Sequence, residues 1–282
     1  DASVKKITNY ITRKVADKLN SIFKNERENL ESKWNDIKVV IEYGMLTEDK
    51  FYDKAESFNL YPTVDDKYFT YEELEKKIKK LQTDKDGNLI ILYAQNKDEQ
   101  YTYIESAKEK GYEVLLLDSP IIPHLMQKLE SKKEKIKFSR VDSDTLENLI
   151  KKDEEVISKL TDEEKEKLKP MIETAVENEK YTVQLEALDS NSMPFMLAQP
   201  EFMRRMKEMQ QTGGGAMGNL PDMYSLIVNT NHELVGKILN TRTEKKRNSL
   251  IKQSIDLAKL SQNNLTGKDL TEFINRSIDL IK

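Results

Sequence analysis

The chain contains no cysteine, so disulfides, thiol catalysis and cysteine-ligated metals are excluded, and a reducing compartment suits it. Histidine is nearly as scarce, with only His124 and His232. Long apolar runs are missing too. A typical one, from Leu89 to Ala94, falls far short of the roughly 18–20 residues that span a bilayer. Neither sign of charge dominates: 46 basic and 50 acidic residues are interspersed and leave a net charge of −4. The basic face that a nucleic-acid binder needs is therefore not expected. No charged head followed by an apolar core opens the chain. It starts at Asp1, directly in an amphipathic pattern, which reads as a cut inside a longer protein.

What remains is a sequence that is 37% apolar and 34% charged over 282 residues, the balance of a soluble, largely helical protein of about two domains. Val4, Ile7, Ile11, Val15, Leu19 and Ile22 recur at spacings of three and four, one buried face of a helix. Leu30, Trp34, Ile37 and Ile41 repeat the pattern, with Gly44 expected as a C-cap. A third, short helix starts at Thr47, Glu48 and Asp49 and uses Phe51, Ala55 and Phe58. These three form a helical subdomain, residues 1–59.

Residues 60–141 change character. Thr70 and Glu73 make a capping box, and Asp86-Gly87-Asn88 is a turn signal. A compact apolar run at 89–93 and strand segments at 112–117 and 136–141 alternate with helical stretches at 103–110 and 123–129, which predicts a small parallel sheet. The charged stretch 142–160 reads as a junction. A third part, 161–282, opens on a second capping box, Thr161 and Glu164, and has strand patterns at 181–188 and 224–228 and helices from His232 to the end. The fold class is thus mixed α/β: a helical part, a small parallel α/β part and an α+β part.

Enzyme signals fail one by one. His232-Glu233 opens like a zinc-protease helix, but Gly236 stands where the second histidine belongs. His124 has no ligand partner in the sequence. Asp84, Asp86 and Gly87 resemble a calcium loop, yet Gln82 and Tyr93 occupy two ligand positions. Ser21 to Lys24 and Ser249 to Lys252 match Ser-x-x-Lys without its companion motifs, and Gly213-Gly214-Gly215 lacks the continuation of a phosphate loop. No catalytic residue, cofactor site or metal site is assigned.

Seven of ten methionines, Met193, Met196, Met203, Met206, Met209, Met217 and Met223, lie between positions 193 and 223. Phe202, Met206 and Met209 share one helical stripe with Met203 at its edge, and Arg204, Arg205, Lys207 and Glu208 fall on the other side. Either the stripe packs on its own core, or it is a conformable binding surface, a use for which flexible thioethers are suited. A membrane-surface helix is the weakest reading. Further on, Leu250, Ile251, Ile255, Leu257 and Ala258 form one apolar band, and Leu270, Phe273, Ile274, Ile278 and Ile281 another. Two such hairpins can pair about a two-fold axis into a four-helix bundle, or each can dock on the strands before it.

Several strings resemble bacterial ninety-kilodalton heat-shock chaperones: VKKITNYITRKV at 4–15, Trp34 followed by Tyr43-Gly44 and Glu48-Asp49, YTYIE at 101–105, GYEVLLLD at 111–118, and Pro221-Asp222 through IVNTNH at 227–232. The resemblance runs in order along essentially the whole chain. It implies a fragment covering the rear of the middle domain and the C-terminal dimerisation domain. The family's members are dimeric, cytoplasmic, ATP-driven clamps that hold unfolded or partly folded client proteins. Their ATP and magnesium site and a catalytic arginine loop would lie outside this chain, which is then no enzyme. By the same resemblance Phe202, Met203, Met206 and Met209 contact clients. A second client patch falls on the helix at 122–126, at His124 and Leu125, although Pro123-His124 replaces the acid and tryptophan that bacterial members can carry. Residues 243–282 form the dimer bundle. Neither nucleic acid nor membrane is implied as a partner. A dimeric scaffold for one folded partner is the alternative, and an enzyme at the strand ends near Asp118 and Ser119 is a remote third.

Overall fold

The computed structural model describes residues 2–153, 156–176, 180–213 and 223–281. The chain divides into two compact units: one comprises Asp1–Val141 with Glu208–Gly215, the other Asp142–Lys207 with Ala216–Lys282.

Unit 1 opens with four helices, α1 (Ala2–Asn25), α2 (Arg27–Ser32), α3 (Trp34–Thr47) and α4 (Asp49–Ala55). In α1 the buried face is Ala16 with Leu19, Ile22 and Phe23 against it, while Ile11 and Val15 are exposed. Val4 and Ile7 lie outside the described side chains. Gly44 is not a C-cap. It sits inside α3, where a Cβ would come within 2.8 Å of the Phe51 ring, so it lets α4 approach closely. The helix runs on to Thr47 and stops at the extended Glu48.

A two-residue ribbon, β1 (Tyr61–Pro62) and β2 (Tyr68–Phe69), leads to α5 (Tyr71–Gln82), whose capping box is formed as predicted. Glu73 has a second task there. Its carboxylate accepts both Arg27 Nη1 and Nη2, at 2.6 and 2.9 Å, which ties α2 to the start of α5.

The parallel sheet follows: β3 (Leu89–Ala94) lies between β4 (Val114–Leu116) and β5 (Ile136–Arg140), parallel to both. Every residue of β3 is buried, as a central parallel strand requires. Helices α6 (Tyr101–Glu109) and α7 (Ile122–Lys132) connect the strands. One continuous core runs from Ala16 to Phe138, so the helical and α/β parts share their interior.

Unit 2 begins with the stretch read as a junction, which is instead anchored. Asp142, Ser143, Thr145 and Ile150 are buried, and α8 (Leu146–Leu149) carries Asn148, whose amide donates to both Glu186 oxygens at 2.9 and 3.0 Å. Asn231 donates to Ile157 O and Leu188 O and accepts from Lys159 N. Polar pairings between residues some 40 to 70 positions apart leave no trace in local sequence.

After α9 (Asp162–Glu173) comes a mixed sheet: β8 (Tyr224–Asn229) is central, parallel to β6 (Tyr181–Glu186) and antiparallel to β7 (Phe195–Ala198). Strand β7 was not expected. Its four residues are all buried, so it shows no alternation. Helix α10 (Glu201–Gly213) follows β7, and α11 (Glu233–Asn240), α12 (Glu244–Ser261) and α13 (Gly267–Ile281) close the chain. Leu168 and Ile172 of α9, Val235 and Ile238 of α11, and Ile251, Ile255 and Ala258 of α12 enclose Val183, Phe195, Leu197, Leu226 and Val228 of the sheet. Met217, Gly214, Gly215, Pro221 and Asp222 lie outside the described residues.

Candidate functional site

Helix α10 starts just after the buried edge strand β7, which fixes where its first turn emerges. Phe202 is 70% exposed, and Met203, Met206 and Met209 are half-buried. The polar side differs from expectation: Arg204 is only 4% exposed, and its Nη2 lies 2.6 Å from Glu201 Oε1, which also accepts Arg205 Nε at 2.7 Å. One carboxylate thus compensates two guanidinium groups on the covered side, while the bulky aromatic points to solvent. The methionine cluster is not one surface. Met196 belongs to β7 and is buried, whereas Met193 and Met223 are exposed beyond the helix.

The C-terminal hairpin separates its apolar band into two. Ile251, Ile255 and Ala258 are core of unit 2, with Leu250 half-buried against them. Leu257, Ile274, Ile278 and Ile281 are exposed, and Leu270 and Phe273 are half-buried. Leu260 is exposed as well and was missed, although its i+3 spacing from Leu257 places it on the same face. Polar contacts between the two helices set their pairing: Asp256 pairs with Arg276, Lys252 Nζ lies 3.2 Å from Glu272 Oε2, and Gln253 donates to Ser277 Oγ at 2.9 Å. The Lys252 ammonium holds the Glu272 carboxyl below the usual carboxylate range.

At the start of α7, Leu125 is 1% exposed and lies in the core with Ile122 and Met126. Of the pair His124 and Leu125, only His124 reaches solvent, and it is half-buried. Leu125 is buried because α7 opens with Ile122, Leu125 and Met126 on its core face. His232 caps α11: its Nδ1 accepts the Leu234 N–H at 3.0 Å. Among the described residues no group of three or more acids and histidines could hold a metal ion, and no helix is long and apolar enough to cross a membrane.

The described apolar surfaces thus lie on helices, one on α10 and one on α12 and α13. Comparison with known proteins gives the class. The profile of the Hsp90 protein family matches residues 1–277, and the chain belongs to that family. Among its relatives, the chaperone protein HtpG of Bacteroides thetaiotaomicron is 40% identical over all of this chain and 51% of its own length. The chaperone protein HtpG of Porphyromonas gingivalis is 43% identical over 92% of this chain and 39% of its own. A more distant HtpG, from Bdellovibrio bacteriovorus, is 24% identical over 86% of this chain. The chain spans about half the length of the first of these relatives.

Proposed function

We propose that this chain is the client-holding and self-pairing segment of a cytoplasmic Hsp90-type chaperone. Phe202, Met203, Met206 and Met209 hold apolar side chains of unfolded or partly folded proteins, and Leu257, Leu260, Ile274, Ile278 and Ile281 meet the same face of a second copy. The observation that carries the reading is Phe202, a large aromatic 70% exposed on a helix whose arginine is buried. Monomeric folding alone would favour the opposite arrangement. Each client side chain that covers this stripe contributes roughly 1–2 kcal/mol by area. Two copies joined through α12 and α13 raise avidity without demanding a particular client sequence. ATP and magnesium, which drive the whole protein in this reading, act in the half that the chain does not span.

Binding of a fluorescent, permanently unfolded protein tests the first half. Phe202→Ser with Met206→Ser and Met209→Ser should lose it while circular dichroism stays unchanged. Equal binding by both proteins would move the client site elsewhere. For the second half, truncation before α12 is unsuitable, because Ile251, Ile255 and Ala258 are core. Ile274→Asp with Ile278→Asp should instead halve the light-scattering mass from two chains to one. A mass unchanged from the parent would refute the pairing surface. Turnover of labelled ATP by this chain above a buffer blank would refute its non-catalytic role.

A further inference from the structure

The chain has ten methionines and no cysteine, so thioethers are its only sulfur and its softest targets for two-electron oxidants. The structure grades them sharply. Met45 and Met126 are fully buried in unit 1, and Met196 is buried in β7. Met203, Met206 and Met209 are part-exposed on α10, and Met193 and Met223 are exposed. Among the described methionines, most of the accessible sulfurs therefore lie on and beside α10, where Met206 and Met209 share the face of the outward Phe202; Met171 of α9 is the other part-exposed one.

We propose that α10 is a reversible methionine-oxidation site, and that peroxide switches off its apolar face by converting Met203, Met206 and Met209 to sulfoxides. In each event the thioether sulfur attacks one peroxide oxygen. The O–O bond breaks, an S–O bond forms, and the other oxygen leaves as water. Sulfur loses two electrons and hydrogen peroxide takes them. A thiol-dependent sulfoxide reductase returns the thioether, with two thiols oxidised to a disulfide on the reductase. The product is polar and more rigid, so it can no longer conform to apolar partners as a thioether does. The inactivation, as distinct from the modification, rests on the client-holding role proposed above.

Graded hydrogen peroxide on the full chain, followed by digestion and mass spectrometry, reads the modification directly. Sulfoxide should form at positions 203, 206 and 209 at least about ten times faster than at 45, 126 and 196, because oxidation follows access. The buried three also report any unfolding. Equal rates at all six positions would overturn the assignment. Binding of the fluorescent unfolded protein reads the consequence. Oxidation should weaken it about fivefold or more, the equivalent of losing one buried apolar contact. Reductase treatment should restore it. In a Met203→Leu, Met206→Leu, Met209→Leu chain, whatever affinity remains should not change on peroxide treatment, because no thioether is left on that face. Undiminished binding by parent chain carrying all three sulfoxides would overturn the switch. A chain that never binds the unfolded protein, oxidised or not, overturns the client-holding role and the switch together, while the mass spectra still decide the modification.

Discussion

Helices α10 and α12 are both amphipathic in sequence, yet they use their faces in opposite ways. Helix α12 turns Ile251, Ile255 and Ala258 into the sheet and leaves Leu257 and Leu260 outside. Helix α10 buries Arg204 and leaves Phe202 outside. Spacing identifies an apolar stripe, but which side of a helix faces inward is settled by what stands opposite it. For α12 that is a sheet of Phe195, Leu197 and Leu226, with which isoleucine packs well. For α10 the inward arginine is tolerable because Glu201, one turn earlier, neutralises it. Helix α3 is a third case. Glu42 is buried there, but its Oε2 has no hydrogen-bond partner.

The contrast is broken most severely by charging the inward face of α12. Ile255→Asp should destabilise unit 2 by about 4 kcal/mol or more, because an unpaired carboxylate enters an apolar core and a cavity remains. Urea titration would show the midpoint collapse; a midpoint near that of the parent chain would mean that α12 does not pack on the sheet. The lone buried acid of α3 should come next. Burial pushes the Glu42 carboxyl up to about 7, and Asp118 adds to this, while Ser119 and Lys38 oppose it. A group whose pKa is raised on folding contributes fully below its unfolded value near 4.5 and loses that contribution as pH rises through about 7. Ionisation should thus cost unit 1 about 2–3 kcal/mol between pH 5 and pH 8. Melting of the parent chain should fall over that range by several degrees more than that of Glu42→Gln. Parallel curves for the two would show that Glu42 is not held neutral.

Smaller effects separate the paired arginine from the outward aromatic. Arg204→Ala removes one of two cations on Glu201 and should cost about 1–2 kcal/mol in a denaturant titration. Phe202→Ser should shift stability by no more than about 0.5 kcal/mol, as a substitution at an outward side chain does. A Phe202→Ser cost larger than that of Arg204→Ala would reverse the assignment of inside and outside on α10.

Much of the fold was legible in the sequence. The segments at 89–93, 112–117 and 136–141 become β3, β4 and β5, the central β3 continuously apolar and the edge strand β5 alternating, and both capping boxes form because their chemistry is local. Three features were not legible, for physical reasons. Strand β7 is too short and too uniformly buried to show a period. Gly44 looks like a terminator, but its role depends on Phe51 in the next helix. The stretch 142–160 is polar and reads as a linker, whereas its partners are side chains far along the chain. The surface residues were legible as a set but not as a division: spacing put Ile255 and Leu257 in one band, and only the sheet beneath them separates core from surface.

The Asn231 side chain has a consequence for solvent exchange. Its Oδ1 accepts the Lys159 N–H at 2.6 Å, its Nδ2 donates to Ile157 O and Leu188 O at 3.0 Å, and Asn231 itself is 6% exposed. Residues 156–160 belong to no helix or strand, and Ile157 is 87% exposed, so the segment has the outward look of a floppy tether. The Lys159 amide should nonetheless exchange with deuterium as slowly as amides in a strand, and Asn231→Ala should release it to the rate of an open loop.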